Sequence, residues 1–397
     1  MKIAINTLSV TPAKSGIKTY LLNLVRTLVE SKSHLQFELL CSPVNEAIFR
    51  PMVEAGPNAS LTLLPLESES AVRRIWFDQF VVPRRLGPDI DLLLTPSNIS
   101  TLATGTRQIV VIQAPLSVRS IRAQTPHGDE LVSRGKRLYY DLMMPVSMRK
   151  ADHVVAVSKH LAEHIRRSWP DSGSKLTVIH EGVDAAGFER RTSSESRADG
   201  RDPYVLFVST LFPYKNADRL IEAFALLKSG GGAPDRLRLC IAGRDPDGGQ
   251  RQRLEEMAAR CGVETSVDLL GAVAHEGIAD LYRGASAFVF PSAVETFGLP
   301  VLEAMASGVP VIASDRMSVP EVVGDAGIVV DPDIPPDLAQ AIGRVLADEG
   351  LRSELIQAGR RRVGELSWRR VADAFESLFA EVVVGQGSRT RGRTSGS

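Results

Sequence analysis

Residues 290–306 read FPSAVETFGLPVLEAMA, and the punctuation of this stretch decides the fold class. The preceding Ala-Phe-Val and Phe290 form a short, unbroken apolar run, the pattern of a buried strand, and Pro291-Ser292 ends it. A loop follows, and Pro300 stands where a helix can begin without needing its N–H. A buried strand feeding a helix through a loop is the repeating joint of an α/β domain with a parallel sheet. The same joint can hold an anion. Gly298 lets the backbone approach a ligand closely, and the amides of Phe297, Gly298 and Leu299 stand at the helix start, where a diphosphate is favoured. Glu295 in the loop and Glu303 one turn into the helix, with seven residues between them, straddle that point. They can accept hydrogen bonds from the vicinal hydroxyls of a sugar at one end and of a ribose at the other. An ordinary helix start with helpful carboxylates explains either glutamate alone. The loop length, Gly298, Pro300 and both acids together favour a ligand.

Outward from this joint, short β-rich runs alternate with amphipathic helical stretches, so the sheets are predicted to be parallel with crossover helices. Strands are expected over 2–6, 36–41, 61–64, 91–95, 109–113, 153–157 and 176–180, with helices over 19–30 and 135–150. The text ERRTSSESRADGRDP is polar and almost free of large apolar residues, and reads as a linker. Strands over 204–208, 237–242, 267–270, 287–290, 309–313 and 328–330 follow, then helices over 336–348, 351–365 and 368–383. The Gly/Ser/Arg-rich end, GQGSRTRGRTSGS, reads as a disordered tail. The expected division is therefore a first domain over 1–190, a linker over 191–203 and a second domain over 204–366. A separate helix over 367–384 and a tail over 385–397 complete it. Two such halves would leave a cleft faced by strand C-termini and helix N-termini.

With 397 residues the chain suits two domains. Lys+Arg and Asp+Glu are 47 each, so no global field draws it to nucleic acid, and no nucleic-acid partner is expected. Cys41, Cys240 and Cys261 are scattered and read as reduced thiols, neither a disulfide frame nor a zinc site. The start, MKIAINTLSV, lacks a charged segment followed by an apolar run, and no apolar stretch nears the roughly 20 residues that span a bilayer. A cytoplasmic protein is expected.

Two further segments can carry chemistry. VLFVSTLFPYKN (205–216) ends a strand at Ser209-Thr210 and places Lys215 before a helix, where its long arm can reach a phosphate over the strand ends. A solvated lysine beside an Asn216 N-cap explains the same letters without a ligand. SGIKTY (15–20) puts Gly16 at a helix start after the first strand, a second close backbone approach to a ligand. It lacks the other glycines of a GxGxxG fingerprint, which argues against a nicotinamide dehydrogenase.

In this order, VLFVSTLFPYKN, LCIAGR, VDLLG, LYRGASAFVFPSAVETFGLPVLEAMASGVPVIASD and PEVVGDAGIVVDP resemble the retaining GT-B glycosyltransferases of family four. SGIKTY, ADHVVAVSKHLAE and VIHEGVD carry a thinner likeness in the first half. The resemblance implies the GT-B architecture: two Rossmann-like α/β domains facing across a cleft, with the final helix crossing back to the first. It also implies a donor site chiefly in the second domain. Glu303 would bind the ribose hydroxyls and Glu295 those of the donor sugar. Lys215 and the Phe297–Leu299 amides would hold the diphosphate, with Gly16 closing from the first domain. The transfer would be retaining, with the donor β-phosphate taking the acceptor's proton, no metal ion, and no cofactor beyond the nucleotide-sugar substrate. Two positions depart from the pattern. Thr210 stands where many relatives carry an arginine, a gap that Arg244 could fill. Gln113-Ala114 stands where many carry His-Asp, which touches donor-sugar selectivity.

Other constellations read as structural. His160 and His164 are four apart, but Leu161 stands where a zinc-protease motif needs glutamate, so a solvated helix face is expected. His275 reads as a capping or surface residue, and Asp245-Pro246-Asp247 as turn chemistry. AVRRIWFDQFVVPRR (71–85) and RGKRLYYDLMMPVSMRK (134–150) are both basic and aromatic. Each alone reads as a core-facing helix with charged flanks. Together they allow peripheral contact at the inner face of a membrane, beside a lipid-linked acceptor. Three functions stay open: transfer from a nucleotide sugar to a saccharide or lipid-linked saccharide, as in polysaccharide or O-antigen assembly; a nucleotide-sugar epimerase or phosphorylase; and a catalytically silent nucleotide-sugar-binding scaffold.

Overall fold

The computed structural model describes residues 1–12, 16–31, 33–113, 134–188, 202–246 and 248–384. Among these the chain forms two compact units. One comprises the chain up to Glu181 together with the stretch from Trp368 onward, and the other is Gly182–Ser367. Most of the expected linker and the whole tail lie outside the described residues. The division falls at Glu181, ahead of residue 190, for a local reason. Val183 bridges Ser367, and the short helix Ala185–Phe188 sets Phe188 edge-on to Tyr282 of the second unit at 5.9 Å.

The first unit holds seven parallel strands: β1 (Lys2–Asn6), β2 (Gln36–Cys41), β3 (Ala59–Leu63), β4 (Leu92–Thr95), β5 (Arg107–Ile112), β6 (His153–Ala156) and β7 (Leu176–Val178), in the order β3-β2-β1-β4-β5-β6-β7. The second holds six: β8 (Tyr204–Val208), β9 (Arg238–Ala242), β10 (Val267–Gly271), β11 (Ala287–Phe290), β12 (Val311–Ser314) and β13 (Gly327–Val330), in the order β10-β9-β8-β11-β12-β13. Helices cover both faces of such sheets, so the central strands are continuous apolar runs in place of an alternating pattern. Leu92–Leu94 and Phe288–Phe290 are fully buried along their length. In each sheet the chain starts centrally, works outward to one edge, then returns and works toward the other. The reversal lies between β1 and β4 in the first unit and between β8 and β11 in the second. Loops leaving two neighbouring strands there run in opposite directions and open a crevice at the strand C-termini.

The helix Trp368–Val384 follows the whole second unit in sequence yet packs within the first. Trp368, Val371, Ala372, Phe375, Leu378 and Phe379 recur at helical spacing and are buried. Trp368 meets Tyr20 edge-on at 5.5 Å, Ser31 Oγ donates to Glu376 at 2.6 Å, and the Arg107 guanidinium donates to the carbonyls of Val382 and Val383 at the helix end. Phe375→Ala, at a fully buried position, is expected to cost the first unit about 3–5 kcal/mol. Ser377→Ala, on the exposed face, should stay within about 0.5 kcal/mol of wild type in the same denaturant titration.

Candidate functional site

Because β8 and β11 are neighbours at the reversal point, the loops that leave them meet. The β8 loop is pressed onto the end of β9: Ser209 N–H donates to Ala242 O at 3.0 Å and Leu211 N–H to Arg244 O at 2.8 Å. Only glycine fits at position 243, since a Cβ there would fall 1.7 Å from the Ser209 carbonyl oxygen. After the short turn Pro213–Lys215, Asn216 adopts a left-handed conformation (φ 56°). Its side chain makes no capping bond to the helix Ala217–Ser229 that it precedes. It donates instead to Pro291 O at 2.9 Å, while Ala293 N–H donates to Tyr214 O at 2.8 Å. The expected N-cap is thus a tie between the two loops, a role the lone letter Asn could not reveal.

Lys215 is not a solvated residue. It is 9% exposed, with Nζ 2.5 Å from Glu295 Oε1 and 5.1 and 5.7 Å from the ring centres of Tyr214 and Phe290. Carboxylate and ring faces together stabilise a charge that burial would otherwise penalise. Phe212 stacks on Tyr214 at 5.4 Å. Burial and the Glu295 charge push the Tyr214 phenol above its ordinary range, so it keeps its proton.

The β11 loop is held from beneath by hydroxyls. Ser314 Oγ, at the end of β12, donates to Ser292 O at 2.6 Å, and Ser318 Oγ lies 2.9 and 3.1 Å from the carbonyls of Glu295 and Phe297. All three serines are fully buried. Gly298, at φ 119°, turns the chain into the helix Leu299–Ala306. That backbone is open to glycine and strained for any residue with a Cβ. Phe297 and Gly298 are buried at the helix head, and Leu299 is half-buried. On the same helix Glu303 Oε2 accepts a 3.0 Å hydrogen bond from Tyr282. Tyr282 is fully buried and edge-on to Phe288 at 5.2 Å. Burial first, then the neighbouring carboxylate, hold its phenol far above the ordinary value. It therefore keeps its proton and donates a hydrogen bond to Glu303, which it orients.

The structure thus brings Lys215, Glu295, Phe297, Gly298 and Leu299 to one junction, with Glu303 on the helix that leaves it. Ser314, Ser318 and Tyr282 were not singled out in the sequence. A small hydroxyl residue ending a strand beside a functional loop is the signal that could have found Ser314. Thr210 sits half-exposed at the end of β8, its carbonyl accepting from Phe212 N–H at 2.9 Å. Arg244 is exposed on the adjoining β9 loop, with no carboxylate partner among the described residues.

Gly16 belongs to the first unit, where it opens the helix Gly16–Glu30 with open space in the side-chain direction. Gln113 is 8% exposed; its N–H donates to Asn98 Oδ1 at 2.6 Å and its side-chain amide to Pro96 O at 3.1 Å. It ties the ends of β4 and β5 together, and Ala114 lies outside the described residues. The helix face that carries His160 and His164 is not the solvated one expected. His164 is buried and His160 half-buried, their rings 4.6 Å apart, because the helix Lys159–Ser168 turns that side inward. Asp245 accepts from the Gly248 and Arg251 amides at 3.1 and 2.9 Å, a turn as expected; Asp247 is outside the described residues. His275 opens the helix His275–Gly284. Among the described residues no group of three His, Cys, Asp or Glu is arranged to hold a metal.

Lys215 and Glu295 are expected to behave as a coupled pair. Glu295→Ala leaves a buried ammonium uncompensated and should cost about 3–5 kcal/mol of second-unit stability. Adding Lys215→Met should recover a good part of that loss, with a coupling of about 1–3 kcal/mol in a double-mutant cycle read by urea unfolding.

Comparison with known proteins fits this geometry. The model described as "Glycosyl transferases group 1" matches residues 189–362, and that described as "Glycosyltransferase Family 4" matches residues 14–186. A D-inositol 3-phosphate glycosyltransferase of Salinispora arenicola is 32% identical over 257 residues, 61% of this chain and 57% of its own. An uncharacterised glycosyltransferase of Methanocaldococcus jannaschii is 31% identical over 273 residues, 64% of this chain and 68% of its own. The chain therefore spans a little over half the length of the first of these relatives. Among solved structures, HepE of Anabaena in complex with UDP and glucose superposes with a TM-score of 0.70 at 18% identity, covering 96% of this chain and 100% of the other. That likeness shows the GT-B fold of two Rossmann-like units. Both relatives carry transferase names, so the epimerase, phosphorylase and silent-scaffold readings are not favoured.

Proposed function

We propose that this chain, which belongs to the group 1 glycosyl transferases, moves a sugar from a nucleotide-sugar donor onto a saccharide or lipid-linked saccharide with retention at the anomeric carbon. The observation that carries the reading is the meeting of Lys215, Glu295 and the head of the helix Leu299–Ala306 at the reversal point of the second sheet. A diphosphate would lie against the helix start, where amide dipoles favour it, and compete with Glu295 for the Lys215 ammonium. Glu295, displaced from the lysine, would then accept hydrogen bonds from the donor sugar's hydroxyls. Glu303, oriented by Tyr282, would accept those of the ribose. Arg244 would supply the second cation that Thr210 cannot.

The bond from the anomeric carbon to the β-phosphate oxygen breaks as the acceptor oxygen bonds to that carbon from the same face. The acceptor's proton passes to the departing phosphate oxygen. No metal ion and no resident cofactor take part. HepE, with its bound UDP and glucose, makes a UDP-sugar the first donor to try.

A thermal-shift screen against UDP-, GDP-, ADP- and dTDP-sugars tests the reading. At about 100 times its dissociation constant, a donor that binds only the folded state adds about 2.7 kcal/mol. One nucleotide class should raise the melting temperature; no shift with any would overturn the proposal. Lys215→Ala and Glu303→Ala should each weaken that binding by about tenfold or more, the loss expected of one charged hydrogen bond. Glu295→Ala should lower turnover more than nucleotide affinity. Full activity should survive excess EDTA, and a strict need for a divalent ion would refute the metal-free part.

A further inference from the structure

The helix Arg134–Lys150 is turned inside out relative to an ordinary surface helix. Met144, Ser147 and Met148 face the core, and the opposite side, where charge is expected, presents Leu138, Leu142 and Val146 at 61%, 60% and 42% exposure. A second segment repeats the arrangement. Along the helix Ala71–Trp76 and the π-helical turn Phe77–Val81, the residues Val72, Trp76 and Phe80 stand out at 75%, 54% and 48% exposure. Six of the thirteen large apolar side chains exposed among the described residues therefore fall on these two elements, spaced i, i+4, i+8 in both.

The two elements are joined. The buried Gln79 side chain donates to Ser100 O at 2.9 Å, and Ser100 Oγ donates to Ser147 O at 3.2 Å on the other helix. Asp78 and Arg74 both act on the Tyr139 phenol, which burial pushes up to about 12. The charge is as uneven as the apolar surface. Residues 71–85 and 134–150 carry nine Lys or Arg against two Asp in a chain whose formal net charge is zero. Arg73, Arg84, Arg85, Arg149 and Lys150 are exposed, and none has a carboxylate partner among the described residues. Exposed apolar side chains, a tryptophan among them, with a rim of cations that have no carboxylate partner among the described residues match an interface of acyl chains beneath anionic headgroups. A protein partner would ask for apolar contact without so strong an excess of one sign. No helix among the described residues is long and apolar enough to cross a membrane, so contact would be along the surface.

We propose that these two elements dock the first unit onto an anionic lipid surface, with Val72, Trp76, Phe80, Leu138, Leu142 and Val146 entering the headgroup boundary and the surrounding arginines and Lys150 meeting the phosphates. The inference does not depend on the sugar-transfer reading. The test is co-sedimentation of the full chain with vesicles of equimolar phosphatidylcholine and phosphatidylglycerol, against vesicles of phosphatidylcholine alone. Binding should be about tenfold or more stronger to the anionic vesicles and should weaken as salt is raised. Leu138→Gln with Leu142→Gln, and separately Arg84→Glu with Arg85→Glu, should each lower it by about tenfold or more with an unchanged melting temperature. Equal sedimentation with both vesicle types, or variants that bind as well as wild type, would overturn the proposal. So would a concentration-dependent dimer, abolished by the leucine variant, that vesicles do not dissociate; the apolar face would then belong to a second copy.

Discussion

A lysine ammonium held almost out of water needs a counter-charge, and the second unit is arranged around supplying one to Lys215. Glu295 provides it at 2.5 Å, and two aromatic faces provide the rest. For that pair to form, the loops after β8 and β11 must be held rigidly together. The Asn216–Pro291 and Ala293–Tyr214 bonds do this sideways, and Ser314 and Ser318 do it from beneath. The sheet's strand order sets those two loops side by side. Topology, buried hydroxyls and ion pair thus form one chain of dependence.

Such a pair has a chemical use beyond stability. A buried ammonium without a counter-charge would draw water in around it, whereas a paired one is held in position. In the proposed function, the carboxylate holds the place that the donor's diphosphate would take beside the ammonium. Since the surrounding loop is fixed by backbone bonds that do not involve the Glu295 side chain, that side chain can move without unravelling its support.

The parallel α/β character, the strand positions and the joint at Gly298 were legible because unbroken apolar runs and Gly/Pro punctuation are local signals. β1, β2, β8 and β11 begin and end where periodicity places them. Long-range pairing was not legible. Lys215 and Glu295 are 80 residues apart, and nothing in either segment announces the ion pair. Tyr282 reads as one more apolar residue of a helix until Glu303 is seen beside its hydroxyl. His164 failed for the same reason in reverse, since a short helix does not declare which side faces inward. The boundary near residue 190 was placed by composition, whereas the compact units follow contact and divide after Glu181 and after Ser367.

The helix Trp368–Val384 makes the first unit discontinuous, with the whole of Gly182–Ser367 inserted between its two parts. During synthesis, the surface of the first unit that receives this helix, Tyr20 included, stays uncovered until the whole of the second unit has been made. The later-made unit, continuous in sequence, can finish folding before the earlier one closes.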